Sequence, residues 1–193
     1  MKSIFVLGDL NVDLILSGMP DPPELGKEVV ATERSRDPGG SATNVAIMLA
    51  AASAPVRLFS RIGADADGDF LLQCLEDRQL PTDTIARTTS DFTGLTVALT
   101  YPTDRMFISH LGTVVSTTLD DLPPGFIAPG AHLHLTSYYL QNGLRPDVGR
   151  LVTEAKRNGM TTSIDMGHGS TRDLGHFLPN PIAAGSGLVS AQR

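Results

Sequence analysis

Cysteine occurs once in these 193 residues, at Cys74, so no internal disulfide can form and a reducing compartment, the cytoplasm, is the expected setting. Cys74 lies in the apolar stretch Phe70 to Leu75, which reads as part of a helix with the thiol turned to the core. Basic residues are also scarce. The 15 Lys and Arg stand against 21 Asp and Glu, a formal net charge of -6, and closely spaced basic residues such as Arg34 with Arg36 are few. Nucleic acid and anionic membrane both demand basic surface, so neither is an expected partner. The longest uninterrupted apolar run, Val45 to Ala52, falls far short of the ~20 residues of a spanning helix. The first run, Ile4 to Leu7, is broken by Gly8-Asp9 before it could form the core of a signal peptide. Several chemical signatures are missing too. No Gly-x-Gly-x-x-Gly follows the first strand, and Gly26-Lys27 is followed by Glu28 rather than by the rest of a phosphate loop. Gly185-Ser186-Gly187 lacks the frame of a nucleophile elbow.

What is present is enough apolar material, 41% of the chain, to bury a core. Ile4 to Leu7 reads as a strand buried on both faces at the centre of a layered sheet. Asn11 to Leu16 and the more polar Lys27 to Arg36 are expected to form a small sheet standing off the main domain, with the Pro-rich stretch Met19 to Pro23 as loop. Ala42 to Ala54 predicts a helix stopped by Pro55, and Val56 to Ile62 a strand. In Asp67 to Gln79, Phe70, Leu71, Cys74 and Leu75 mark one helix face. Thr93 to Tyr101 and Met106 to His110 read as a strand pair returning to the small sheet. Ala131 to Ser137, a helix over Arg145 to Asn158, and Met160 to Met166 complete an alternating strand and helix order. That order implies an α/β fold with a parallel sheet. From 167 to 193 the pattern dissolves into an irregular, Gly-, Ala- and Ser-rich tail, so the expected domain spans 1–166.

Two segments could carry chemistry. In Asp37 to Ala46, the paired Gly39 and Gly40 allow close backbone approach. A helix starting at Ser41 or Ala42 would point N–H groups forward, and Asn44 offers a donor and an acceptor. A Gly turn with Ser41 as N-cap explains the same residues. In Gly8 to Asp13, at the end of the first strand, Asn11 and Asp13 point the same way in extended chain and could grip sugar hydroxyls together. A solvated turn is the alternative there. Elsewhere, Asp65, Asp67, Asp69 and Glu76 have calcium-loop spacing, but Phe70 stands where that loop needs Gly. His132 and His134 share a strand face with nothing nearby to complete a ligand set.

Taken together, Gly8 to Asp13, then Gly39-Gly40 with Asn44, then Ser53 and the stretch Arg61 to Gly68, resemble the ribokinase-like, or PfkB, carbohydrate kinases. The resemblance runs from Ile4 to about Asp165. It implies a three-layer α/β/α core with a parallel sheet and a small β-sheet lid, the lid strands lying within 11–36 and 93–110. It also implies ATP-dependent phosphorylation of a sugar or nucleoside, with Asn11, Asp13, Gly39, Gly40 and Asn44 lining the substrate site and ATP with Mg as cofactors. Ser41 departs from the Lys that ribokinases proper often carry there, which argues against ribose. The family's later Gly-Ala-Gly-Asp segment, with its catalytic Asp, has no match; Ala184-Gly185-Ser186-Gly187 lacks the Asp. The expectation is therefore a truncated chain that keeps the substrate half of the fold and lacks the catalytic and ATP-binding part. A non-catalytic carbohydrate-binding fragment, or a homodimer formed through the lid strands, is the competing expectation.

Overall fold

A computed structural model describes residues 2–167. The continuous apolar run at the N-terminus forms β1 (Ile4–Leu7), flanked in parallel by β4 (Val56–Gly63) on one side and β8 (His132–Leu135) on the other. With β5 (Ile85–Thr88) and β9 (Thr161–Ile164) at the edges, the parallel sheet has the order β5-β4-β1-β8-β9. Because side chains alternate across a strand, β1 feeds two cores at once. Val6 joins Leu58, Ile62, Leu71 and Leu75 beneath α1 (Ser41–Ala51) and α2 (Ala66–Glu76). Phe5 and Leu7 join Leu133, Leu135 and Leu151 beneath α4 (Val148–Arg157). On that second face Phe5, Phe59 and Phe126 pack as a ring cluster, with Phe59 and Phe126 edge to face at 4.6 Å. Fully burying one Leu contributes roughly 1.5–3 kcal/mol, so the two cores are the main support of this sheet.

A second sheet stands over one end of the first. It contains β2 (Asn11–Ser17), β3 (Glu33–Gly39), β6 (Gly94–Thr100) and β7 (Arg105–His110) in the order β3-β2-β6-β7. β2 runs parallel to β6, and the other two pairings are antiparallel. Two anchors hold this lid to the core. Arg36 of β3 pairs with Asp67 of α2 and lies over the Phe70 ring at 4.0 Å. Asp65, at the N-cap of α2, accepts from the backbone N–H of Thr93 (2.8 Å) and from its hydroxyl (2.7 Å). It also caps Gly68 N–H at 2.8 Å. Burial opposes ionisation of Asp65, but these hydrogen bonds outweigh it and hold its pKa below the ordinary carboxylate value.

Several expectations are corrected. The strand expected over Lys27 to Arg36 lies instead at Glu33–Gly39 and runs through Pro38. Pro38 is tolerated because β3 is the edge of the lid sheet, where a missing N–H breaks no interior ladder. β5 and the one-turn α3 (Thr113–Ser116) were not foreseen; each is only four residues long, too short for a periodic signal. Cys74 is only partly buried, since α2 turns Leu71 and Leu75 to the core. Burial still pushes the thiol pKa up, opposed by Arg78. Of the irregular tail expected over 167–193, all but Gly167 lies outside the described residues, as does Ala184 to Gly187. Among the described residues no helix is long and apolar enough to cross a membrane.

Candidate functional site

From β1 the chain moves to β4 and β5 on one side and later to β8 and β9 on the other, so the direction of strand addition reverses beside β1. In parallel α/β sheets the crevice at such a reversal, at the carboxyl ends of the strands, is where ligands bind. Here it lies beneath the lid and forms a cavity of about 170 Å³ lined by Asp9, Asn11, Asp13, Gly40, Thr96 and Ser109, among others.

Asp9 is the residue on which the site is assembled. It is buried at 6% exposure and follows β1 directly. Its carboxylate accepts from the N–H of Ser41 (2.7 Å), the N–H of Ala42 (3.2 Å) and the hydroxyl of Thr136 (3.0 Å). It thus closes the N-terminus of α1 and ties that helix to the loop after β8. This changes the reading of the paired glycines. Gly40, not Ser41, is the N-cap, it makes no side-chain cap, and the N–H groups of Ser41 and Ala42 are taken by Asp9 rather than offered to a ligand. Gly40 has φ +101°, and a Cβ there would lie 2.4 Å from the Asp9 carbonyl oxygen. Only glycine lets the turn pass under the β1–β2 loop.

Asn11 and Asp13 do share a face, and the Asn11 amide donates to Asp13 Oδ1 at 2.8 Å. Asp13 lies directly across from Asp37 on β3 and from Thr96 on β6. Gly39 makes room for it, since a Cβ at 39 would sit 2.3 Å from the carboxylate carbon. Burial raises the pKa of Asp13; the Asn11 hydrogen bond opposes this, while the charges of Asp9 and Asp37 add to it. Of the five expected site residues, Asn11, Asp13 and Gly40 line the cavity and Gly39 supports Asp13 from below. Asn44 does not line it. One turn into α1, its N–H bonds the Gly40 carbonyl and its side chain is exposed.

Sequence reasoning missed Asp9, Thr96, Ser109 and His110. Asp9 was visible as a carboxylate ending a central strand, but its partners are 32 or more residues away. Thr96 and Ser109, hydrogen-bonded at 2.9 Å, reach the cavity only through the pairing of β6 with β2 and β7. His132 and His134 lie elsewhere, on β8, where both bond the Ser163 hydroxyl (2.8 and 2.7 Å). Burial lowers both pKa values.

The chain resembles known proteins in both sequence and fold. It is 26% identical to the ribokinase of Bacillus subtilis (strain 168) over 126 residues, 65% of this chain and 41% of that protein. A stretch of 78 residues is 37% identical to the bifunctional protein HldE of Marinomonas sp. (strain MWYL1), covering 39% of this chain and 16% of that one. The fold matches a ribokinase structure from Giardia lamblia with a TM-score of 0.73 at 17% identity, over 85% of this chain and 54% of that one. It matches a fructokinase from Xylella fastidiosa with bound ATP at 0.70 and 19%, over 86% and 49%. The chain thus spans about half the length of these structures and less than half of the two curated relatives. The description "pfkB family carbohydrate kinase" matches residues 1–177, nearly the whole sequence, and this chain belongs to the pfkB family of carbohydrate kinases.

Proposed function

We propose that this chain provides the acceptor site for ATP-dependent phosphorylation of a sugar hydroxyl. The observation that carries the reading is the Asn11–Asp13 pair, projected into a cavity at the strand reversal and roofed by a second sheet. A carboxylate held by one amide donor keeps most of its acceptor capacity for ligand hydroxyls. Asn11 fixes its orientation, and the Thr96 and Ser109 hydroxyls extend the polar lining. Gly39 and Gly40 shape the helix entry beside this pair, and Asn44, one turn into α1 and exposed, is left out of the acceptor site. Kinase catalysis is chiefly positioning and charge stabilisation. In this reading the described residues position the acceptor, and ATP with Mg supplies the phosphoryl group.

The test is a thermal-unfolding scan of the chain with and without a panel of sugars, because a ligand that binds only the folded state raises the transition. A shift for at least one sugar, absent in Asp13→Ala, supports the reading. A cooperative transition that no sugar moves would sink it.

A second reading concerns assembly. β7 is the outer edge of the lid sheet, and its Met106, Phe107 and Ile108 are 40%, 54% and 58% exposed. An apolar edge strand with free backbone groups is a template for pairing, and a second copy of the lid would cover it as a homodimer.

A further inference from the structure

Resting on the acceptor-site reading above, we propose that the substrate is a neutral, unphosphorylated monosaccharide, and that the site rejects both phosphate esters and nucleosides. The first argument is charge. Asp9 and Asp13 both line the cavity, and Asp37 faces Asp13 across the β2–β3 ladder. An added phosphate dianion would stand among these carboxylates in a partly desolvated space, where like charges repel most strongly.

The second argument concerns the usual attractor of phosphate, the N-terminus of a helix. α1 begins at this cavity, but the Asp9 carboxylate already accepts from Ser41 and Ala42 N–H, so the helix start is filled by an internal anion. The third concerns cations. No Lys or Arg lines the cavity among the described residues. Arg36 is committed to Asp67 and the Phe70 ring, and Arg61 to Asp121 and the Ser116 carbonyl. Among the described residues, His110 is the one lining side chain that can carry positive charge.

Size and surface chemistry deal with nucleosides. The cavity, about 170 Å³, is smaller than the ~300–1,000 Å³ usual for drug-sized ligands. Among the described residues its lining holds no Phe, Tyr or Trp on which a base could stack. The apolar part is Leu111, Val114 and Leu140, enough for the carbon face of one sugar ring.

The experiment is calorimetric titration of the full chain with matched probes: fructose with its 1- and 6-phosphates, ribose with its 5-phosphate, and adenosine. We expect at least one free sugar to bind and its ester to bind at least about tenfold more weakly at low salt. The gap should narrow as salt rises from ~0.05 to ~0.5 M. Asp37→Asn should narrow the gap several-fold at low salt by removing one facing charge. An ester that binds as tightly as its parent sugar, or adenosine tighter than ribose, overturns this inference while leaving the acceptor site standing. A gap indifferent to both salt and Asp37→Asn overturns the electrostatic origin. If no probe binds a chain that unfolds cooperatively, the acceptor-site reading itself falls, and this inference with it.

Discussion

Replacing Asp9 tests the load placed on one buried carboxylate. In Asp9→Ala, the N–H groups of Ser41 and Ala42 and the hydroxyl of Thr136 lose their acceptor. Ala42 and Thr136 are both fully buried, so both donors depend on this carboxylate in the folded chain. Each buried donor left unpaired costs about 1–3 kcal/mol, and losing an anion from a helix N-terminus costs a further ~0.3–2 kcal/mol. The expected destabilisation is about 3–5 kcal/mol, a large share of the ~5–15 kcal/mol that holds a domain folded. Asp9→Asn keeps the shape and one acceptor oxygen, so it should cost less, about 1.5–3 kcal/mol. Urea unfolding at neutral pH gives both numbers from the midpoint and slope. A loss below ~1 kcal/mol for Asp9→Ala at unchanged slope would refute the claim that this side chain closes α1, as would Asn being the worse substitution.

Asp13→Asn should leave the fold as stable as the parent at neutral pH, or more so, while abolishing the sugar-dependent thermal shift. The sign follows from its raised pKa. As pH climbs past the ordinary carboxylate value of 3.8 the unfolded chain ionises first, the folded state then holds the extra proton, and stability falls until the folded group also ionises. Asn should flatten that slope in a pH series of urea midpoints. Asp65 has the opposite sign: its lowered pKa contributes stability present above 3.8 and lost as pH falls through the folded value, so Asp65→Asn should weaken the acid dependence of unfolding. Gly40→Ala combines φ +101° with a Cβ 2.4 Å from a backbone oxygen; a cost of about 2–4 kcal/mol is expected, read as a drop in transition temperature. If the lid edge pairs two copies, sedimentation should show a dimer that Ile108→Lys converts to monomer, and the unfolding midpoint should then lose its dependence on protein concentration.

The centre of the main sheet was legible because β1 and β4 are rich in apolar residues and the helices carry period or composition: Ile4 to Leu7, Val56 to Ile62 and the Ala-rich stretch after Gly40 all lie where the pattern puts them. The lid was legible only in outline. β3 carries Arg, Ser, Asp and Pro, and what makes it a strand is its pairing with β2, residue against residue from Asn11↔Gly39 to Ser17↔Glu33. Non-local pairing leaves little mark on a single segment, which is why its bounds shifted toward Gly39. The same limit applies to the site. Asn11 and Asp13 were readable from local geometry, as two residues on one side of an extended chain. Asn44 was placed by motif, and the helix turns it outward. Asp9 and Thr96 acquire meaning only when distant elements meet.

Asp9 and Asp13 sit four residues apart on one stretch of chain, and their environments separate them into different tasks. Three donors converge on Asp9, two of them backbone groups of α1, so its acceptor capacity is committed to joining helix, strand and the β8 loop. Asp13 has one donor, the Asn11 amide, and faces a second carboxylate across the ladder. A fold selected for stability alone would not half-bury a carboxylate with one donor beside two like charges, because desolvation and repulsion both oppose its ionisation. Such under-satisfied groups persist where a ligand completes them. In the proposed acceptor-site reading, sugar hydroxyls are that complement: they would donate to the remaining lone pairs of Asp13 without adding negative charge beside Asp9 and Asp37. On that reading, the raised pKa of Asp13 and a preference for a neutral polyol are two consequences of one arrangement. Asp13→Asn separates stability from binding, and Asp9→Ala should abolish both.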